Sequence, residues 1–413
     1  MATLTEPVEK PAHVPDEAVF DFDYHFDPGL LANPHERMRE LLDSAPKVFW
    51  TPRNRGTWIA IGFDEVFSAL RRTDEFSSSI LPPEQIEELL KLLPEDMPRI
   101  PRLKPITIDP PEHTTIRTPL AKAFSPKAAM SQLDEIKGLT DSLIDAVIDQ
   151  GHCEFISSIA EPLPVTVFLQ MFGLPVDRLA EFRDLVHEVL NPPPGVDPGP
   201  MILRKVADAL TDDIAARRDN PQGDILSQLW ALEVDGQPMT MDVMEDYAVL
   251  LFIAGLDTVI NAMGFAVRHL AEHQDLQASL RADPSQIPDA VEEMLRRYSF
   301  VVPLRRDARD TELGGFQLKA GDNLMLHLAS ADLDQRKFDR PDEFDITRDL
   351  KSHVAFGGGP HRCVGMHLAR IELHTLYRQL LSRLPMWRLD PEHPPTYHSG
   401  NVIAVDSLHI RWD

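Results

Sequence analysis

One cysteine stands in the most restrictive loop of this chain. Residues 356–365 read FGGGPHRCVG and place Cys363 just ahead of a helical pattern over residues 367–381. Three consecutive glycines are costly for a loop, because glycine loses more conformational entropy on folding than any other residue. Backbone N–H groups of such a loop and the positive end of the next helix stabilise an anion. The pattern therefore predicts that Cys363 is held as a thiolate, and a buried structural cysteine is the alternative.

This loop also matches a known signature. A thiolate is a strong axial ligand for haem iron. The loop resembles the haem-binding signature of cytochrome P450 enzymes, F-x-x-G-x-[RH]-x-C-x-G, at Phe356, Gly359, His361, Cys363 and Gly365. The resemblance implies that the chain binds one haem b, iron protoporphyrin IX, and that Cys363 is its metal ligand.

A long apolar segment carries a second unusual run. Within Met241–Glu272, residues 254–258 read AGLDT. Gly255 weakens the helix and lets the backbone open locally, while Asp257 and Thr258 add an acid and a hydroxyl. Taken alone, a glycine for close packing and a solvent-facing pair is the simpler explanation. The run resembles the family's [AG]-G-x-[DE]-T motif, which implies that Thr258 supports oxygen activation and Asp257 relays protons.

Two sets of charged residues also match the family. Glu293 and Arg296 lie three apart on a helix, where a local pair contributes only about 0.2–0.5 kcal/mol. The resemblance to the E-x-x-R element, completed by Arg348, implies a structural network that supports the cysteine loop.

A buried haem brings two carboxylates that need cations or strong donors. The resemblance implies that this role falls to His113, Arg117, Arg305 and His361.

The similarity spans nearly the whole chain and points to bacterial camphor-hydroxylating P450 enzymes and their relatives. It implies a mainly α fold with small β-sheets and a monooxygenase that hydroxylates a compact terpenoid, such as camphor, 1,8-cineole or an ionone. Electrons would pass from NADH through a flavin ferredoxin reductase and a two-iron two-sulfur ferredoxin to the haem, where O2 would react. A mostly apolar substrate pocket is implied, with core packing as the alternative for each member: Leu250, Phe252, Val301, Val302, Asn401 and Val402.

The chain departs from the camphor enzyme in two places. It has no tyrosine between Ser77 and Ile108, where that enzyme holds the substrate ketone. This region is also longer and contains a helix-like stretch over residues 84–93, so we expect a substrate lid. The second departure is Asn191, which stands where a cation is expected to pair with Asp257. Arg183 is then the remaining candidate for that pairing.

The amino-acid composition indicates which cellular compartment and which kinds of partner to expect. Only two cysteines, Cys153 and Cys363, are present, so we expect no disulfide framework and a reducing compartment. A net charge of −25 opposes binding to nucleic acid or anionic lipid. The sequence shows no leader pattern, and we expect no apolar run of bilayer length. We therefore expect a cytoplasmic protein without a membrane segment, and a monomer.

The chain divides into a short arm and a large folded part. Residues 1–16 are expected to be a flexible arm, and 17–413 a single haem domain. A polar turn between Val48–Thr51 and residues 57–61 predicts a β-hairpin. Short strands are expected at 311–318, 323–327 and 401–412. Helical periodicity predicts helices at 64–72, 115–124, 129–150, 158–171, 176–190, 202–218, 241–272, 287–298 and 367–381.

Two other functions stay open at this point. A haem-thiolate peroxygenase or isomerase would need no external electrons, although the Asp257–Thr258 pair favours reductive oxygen activation. A non-catalytic haem sensor would need an output surface. A basic patch for an acidic ferredoxin is expected around the cysteine loop, from Arg71, Arg72, Arg117, Lys122 and Arg362.

Overall fold

Helices make up most of the described chain, which comprises residues 6–79, 81–92, 97–190, 201–349, 352–400 and 402–413 of a computed structural model. The helices, in chain order, are α1 (Pro28–Ala32), α2 (Pro34–Ser44), α3 (Phe63–Arg71), α4 (Pro83–Lys91), α5 (Glu112–Ala123), α6 (Pro126–Met130), α7 (Leu133–Asp145), α8 (Pro162–Phe172), α9 (Leu179–Leu190), α10 (Met201–Asp219), α11 (Ile225–Trp230), α12 (Met241–Leu256), α13 (Thr258–Glu272), α14 (Gln274–Ala282), α15 (Ile287–Arg297), α16 (Leu328–Ala331) and α17 (Met366–Arg383). The expected mainly α architecture is confirmed.

The strands are short and form small sheets at the periphery of the helices. They are β1 (Val48–Thr51), β2 (Thr57–Ala60), β3 (Phe76–Ser77), β4 (His152–Glu154), β5 (Glu233–Val234), β6 (Gln237–Pro238), β7 (Leu304–Asp307), β8 (Thr311–Leu313), β9 (Phe316–Leu318), β10 (Asn323–Leu326), β11 (Arg388–Leu389), β12 (Thr396–Ser399), β13 (Ile403–Ser407) and β14 (His409–Arg411). The largest sheet has the order β1-β2-β10-β7-β3. Its β1–β2 pair is the expected hairpin, with Val48 opposite Ala60.

The apolar segment Met241–Glu272 runs through the main hydrophobic core. It is long and apolar enough to cross a membrane by length and composition, with a mean hydropathy of 1.8, which corrects the expectation of no such run. Of its most apolar 18-residue window, 61% is buried inside the fold. Helices α8, α9 and α10 pack around its first half. A core helix of a folded protein explains these contacts, because its apolar surface is covered by neighbouring helices rather than left for lipid.

The expected single helix over 241–272 is two helices. Asp257 separates α12 from α13 with a φ of −108° and a ψ of −36°. Gly255 lies beside the ring of Phe168 on α8, where an added Cβ would lie 2.7 Å from a ring carbon. Gly255 is therefore required for close packing of α12 on α8, which is the simpler of the two sequence interpretations. The break falls one residue before Thr258.

The N-terminal arm is packed over the part that the structure describes. The backbone N–H of Val8 donates to the carbonyl of Pro52 at 2.9 Å. Nε2 of His13 lies 2.9 Å from Oδ2 of Asp322. The Val14 side chain is buried in the cluster beneath the large sheet. These contacts correct the expected flexible arm for residues 6–16, since apolar burial holds the segment to the sheet.

The segment after α4 is anchored by ion pairs. The guanidinium of Arg99 lies 3.2 Å from an Oε2 of Glu245 and also donates to Asp246, both on α12. Arg204 on α10 makes a two-pronged pair with Glu245, with both N–O distances at 3.0 Å. The Arg204, Glu245 and Asp246 side chains are buried, so the network joins the segment after α4 to α10 and α12.

Candidate active site

The cysteine loop is shaped by short backbone contacts. The N–H of Cys363 donates to the carbonyl of Phe356 at 2.9 Å, and Gly365 begins the approach to α17. The Cys363 side chain has accessible surface, yet it is so closely surrounded that burial raises the pKa of its thiol. The N–H of Gly365 and the guanidinium of Arg117 lower that pKa and oppose the shift. These two groups are placed to favour the thiolate against the effect of burial.

The loop glycines serve two different purposes. Gly357 and Gly359 adopt left-handed φ values of +70° and +62°. A Cβ at Gly359 would press into the backbone carbonyl of Leu70 on α3, whereas one at Gly357 would meet nothing within 4 Å. Gly359 therefore allows the loop to lie directly against α3. Gly357 is favoured only because its backbone adopts a left-handed conformation.

Exchanging these two glycines for alanine separates the two effects. Gly357→Ala is expected to cost about 1 kcal/mol, which is the usual cost of a left-handed non-glycine residue. Gly359→Ala adds a clash with the Leu70 carbonyl and is expected to cost at least about 1–3 kcal/mol more. Thermal unfolding and haem content of the two purified variants measure the difference. Equal losses in both variants would contradict a packing role for Gly359.

Four basic side chains, two from α5, one from β7 and one from the cysteine loop itself, gather near Cys363. The rings of His113 and His361 lie 4.2 Å apart, and Oγ of Ser78 lies 3.0 Å from Nε2 of His361. Arg117 donates to the carbonyl of Arg362, next to Cys363. Arg305, on β7, is 7% exposed. Tertiary contacts bring together the residues that the sequence suggested one by one.

The charges of this cluster are poorly balanced by protein groups. Both ring nitrogens of His113 and Nε of Arg305 are buried and have no hydrogen-bond partner among the residues that the structure describes. Burial lowers the pKa of His361 to about 3, with Arg305 contributing, and burial lowers the pKa of Arg305 to about 10. Buried cations and donors without partners are unfavourable unless an anionic group joins them. The cluster therefore fits the two carboxylates of a haem.

The α12–α13 break presents a small, partly polar surface. Ala254 is exposed although most of α12 is buried, and Oγ1 of Thr258 donates to its carbonyl at 3.2 Å. Asn261 donates to Oδ2 of Asp257 at 3.3 Å and to its carbonyl at 3.1 Å. Since Leu250, Ala254 and Thr258 follow at intervals of four residues, they share one helix face. An apolar wall therefore leads along the helix to the hydroxyl.

The structure distinguishes among the expected substrate residues. Val301 and Val402 form an isolated antiparallel bridge and are only partly buried. Leu250 and Val302 are 8% and 6% exposed. Phe252 is fully buried, with its ring centroid 5.3 Å from that of Phe182. This placement corrects the expectation for Phe252, which belongs to the core. Asn401 lies outside the described residues, as does Asn191.

The ion network behind the loop is completely enclosed. Arg296 makes two bonds of 2.8 Å to the Glu293 carboxylate, and Nε of Arg348 lies 3.2 Å from Oε1 of Glu293. Arg296 also donates to the carbonyls of Asp332 and Pro341 at 2.7 and 2.9 Å. The network ties α15 to the segment that precedes the cysteine loop.

A second charged network was not assigned a role from the sequence. Arg370 on α17 binds both carboxylate oxygens of Glu292, at 2.5 and 2.8 Å, and Nε2 of His353 lies 3.1 Å from the same group. The Arg370 guanidinium also lies 4.6 Å from the ring centroid of Phe356. This network fixes both ends of the cysteine loop. The repeated acid in Glu292-Glu293 was its only sequence signal.

Comparisons with known proteins agree with this geometry. The family profile described as cytochrome P450 matches residues 201–409. A probable cytochrome P450 127A1 of Sinorhizobium fredii is 30% identical and covers 99% of this chain and 97% of its own. A steroid C26-monooxygenase of Mycolicibacterium smegmatis is 36% identical over 75% of this chain and 78% of its own. Membership of this family implies a haem-thiolate cofactor.

The chain belongs to the cytochrome P450 family, as a haem-iron monooxygenase of the bacterial type. The crystal structure of CYP101J2 matches it with a TM-score of 0.86 and 32% identity, covering 98% of this chain and all of the other. CYP101C1 matches with a TM-score of 0.87 and 29% identity over the same shares. Both belong to the camphor-hydroxylating P450 family.

Proposed function

We propose that this P450 hydroxylates a compact hydrophobic terpenoid, such as camphor, 1,8-cineole or an ionone, with electrons from a two-iron two-sulfur ferredoxin. The carrying observation is the apolar surface that leads from Leu250 and Ala254 on α12 to Thr258 at the start of α13, whose hydroxyl donates to the Ala254 carbonyl. The Val301–Val402 bridge adds a second apolar surface. Likeness to CYP101J2 and CYP101C1 over nearly the full chain supports the same substrate class.

Each site residue has one task in this proposal. A haem with a thiolate ligand supplies the reductive activation of O2 when bound. Cys363 provides that ligand, and His113, Arg117, Arg305 and His361 hold the carboxylates. Thr258 would supply a hydroxyl that hydrogen-bonds water in the site, and Asp257 would pass protons to that water. Glu293, Arg296 and Arg348 hold the segment that leads to the loop.

Replacing Thr258 with alanine tests the proposed oxygen chemistry. Removal of the hydroxyl is expected to divert electrons to hydrogen peroxide, so that product formed per NADH falls about tenfold. Thr258→Ser keeps the hydroxyl and serves as the matched control. Product and peroxide are measured against NADH oxidation in the reconstituted system. Unchanged product per NADH in Thr258→Ala would contradict the proposed role.

A larger substrate is the second candidate. Relatives named steroid C26-monooxygenase are 34–36% identical over about three quarters of this chain. Titration of the ferric protein with camphor, 1,8-cineole, β-ionone and cholest-4-en-3-one separates the classes by the shift of the Soret band. A response to a terpenoid alone supports the first proposal, and a response to the steroid alone overturns it. Family membership leaves the peroxygenase, isomerase and sensor alternatives without a supporting observation.

Electron transfer is proposed to occur at the face that carries Cys363. Arg71 lies on α3, which packs on the 359–361 turn, and Arg117 bonds to Arg362 beside the cysteine. Lys122, on the same helix as Arg117, is exposed. Arg72 pairs with Glu75 and donates to Thr311 at 2.8 Å, so it contributes little positive potential. An acidic ferredoxin fits such a patch on a protein of net charge −25. We further propose a cytoplasmic monomer.

A further inference from the structure

A cavity of about 170 Å³, lined by both charged and apolar side chains, lies beside Asp257 at the α12–α13 break. Liquid water occupies about 30 Å³ per molecule, so this space holds several waters. Its ionisable and charged lining groups are Glu154, Glu161, Arg183, Asp257, His398 and Asp406. The cavity therefore connects Asp257 with side chains of the β12–β13 hairpin.

The hairpin is fixed against the helix break. Asn261 donates to Asp257, as described above, while its side-chain oxygen accepts the N–H of Val405 on β13 at 2.9 Å. Arg268, which lies further along α13, donates to the hydroxyl of Tyr397 on β12 at 2.7 Å. One amide thus holds both Asp257 and the strand that carries Asp406. Hydrogen bonds between α13 and the hairpin therefore fix the separation of Asp257 and Asp406 across the cavity.

His398 and Asp406 form a pair on this hairpin. Nδ1 of His398 lies 2.5 Å from Oδ1 of Asp406, and the two side chains are 31% and 43% exposed. Both also line the cavity, so the pair reaches solvent and the enclosed water. Histidine is the side chain whose ordinary pKa allows it to gain and lose a proton near neutral pH.

The other lining groups are less suited to pass protons from solvent. The carboxylate of Glu154 accepts N–H groups of Leu408 and Ser157, at 2.8 and 2.6 Å. Nε of Arg183 lies 3.6 Å from Oε1 of Glu161, and a guanidinium does not release its proton in proteins. Arg183 and Glu161 thus balance one another within the cavity.

We propose that His398, oriented by Asp406, is the relay through which protons enter the cavity and reach Asp257. His398 takes a proton from bulk water at one ring nitrogen and returns one to a cavity water, so it ends each cycle unchanged. This inference rests on the proposed proton transfer by Asp257. It adds a route from solvent that runs over the C-terminal hairpin.

Turnover of the holoenzyme tests the relay. His398→Gln keeps a hydrogen-bonding side chain that does not titrate. With a two-iron ferredoxin, its NADH-dependent reductase and 1,8-cineole, its product per NADH is expected to fall about threefold while hydrogen peroxide rises. The matched control is His393→Gln, since Nδ1 of His393 lies 2.8 Å from Oδ2 of Asp390 outside the cavity. The control is expected to match the wild type.

Asp257→Asn in the same assay distinguishes the two proposals. If Asp257→Asn loses coupling and His398→Gln does not, protons enter elsewhere and the relay is overturned. If neither variant loses coupling, the proposed proton transfer by Asp257 fails and the relay fails with it. Loss in both variants, with the His393→Gln control unaffected, supports the relay.

A titration that needs no turnover provides the second readout. His398 is followed by NMR in the ferrous carbon monoxide form of histidine-labelled protein. Asp257→Asn removes a negative charge across the cavity and is expected to lower the pKa of His398 by about 0.3, and Asp406→Asn by more. The remaining charged groups that face the cavity, Glu154, Glu161 and Arg183, are unchanged in both variants. An unaltered titration in Asp257→Asn would show that the two groups are not connected.

Discussion

Replacing Cys363 with alanine is expected to remove the Soret band at about 450 nm of the reduced carbon monoxide complex and to abolish NADH-dependent oxidation. Cys363 is the one cysteine in the glycine loop. Burial raises the pKa of its thiol, and the N–H of Gly365 and the guanidinium of Arg117 oppose that shift. Without a thiolate, the bound haem loses the ligand that pushes electron density toward oxygen cleavage. We expect a loss of activity of roughly 10³-fold or more, about 4 kcal/mol of activation free energy.

Cys153→Ala is the matched control for this experiment. Cys153 is buried on β4, and burial raises the pKa of its thiol to about 12, so it stays neutral. The control is expected to keep the band at about 450 nm, because a neutral core thiol does not serve as the ligand. A Cys363→Ala protein that still shows this band would overturn the assignment. Haem content, measured separately, distinguishes a lost ligand from a lost cofactor.

Replacing Arg296 with leucine is expected to be the most destabilising single change considered. The Arg296 and Glu293 side chains are 1% and 0% exposed, and their pairing uses both carboxylate oxygens. Removing the guanidinium leaves the buried Glu293 carboxylate with Arg348 and the N–H of Asp345, and it takes the Arg296 donor away from the Asp332 and Pro341 carbonyls. Breaking a buried pair in this way costs about 3–5 kcal/mol. Urea unfolding, followed by circular dichroism and by the Soret band, measures the loss.

An exposed pair with the same spacing controls for the charge itself. Arg340 and Glu343 also lie three apart and form an ion pair, but their side chains are 59% and 57% exposed. Arg340→Leu is expected to change stability by less than about 1 kcal/mol, since solvent screens such pairs. Similar losses in Arg296→Leu and Arg340→Leu would contradict a structural role for the buried network.

Local sequence patterns predicted the elements whose signals are contained in short windows. The hairpin at Val48–Thr51 and Thr57–Ala60 was expected from two apolar runs around a polar turn. The helices α1, α2, α11 and α14 were not predicted from periodicity. Helix α2 begins with a proline at its first position, and its burial depends on Met38 and Leu41 packing into the common core. In such short helices tertiary packing, rather than a long periodic pattern, stabilises the structure.

The sequence by itself predicted Cys363 as the thiolate ligand and Asp257 with Thr258 as the acid–hydroxyl pair. Cys363 lies within a ten-residue run, and Asp257 and Thr258 are adjacent, so their chemistry is contained in contiguous residues. The same local rules left open whether Gly255 serves packing or opening, and assigned Phe252 to the pocket. Both questions depend on which neighbouring side chains pack against each face of α12.

Only the tertiary structure decided those points and assembled the rest of the site. It placed Phe168 against Gly255 and enclosed Phe252 in the core. It also gathered the cations from α5, β7 and the cysteine loop, and brought His398 and Asp406 to the cavity beside Asp257. The physical reason is that these contacts join segments far apart in sequence, whose meeting depends on how whole helices and sheets pack rather than on any local propensity.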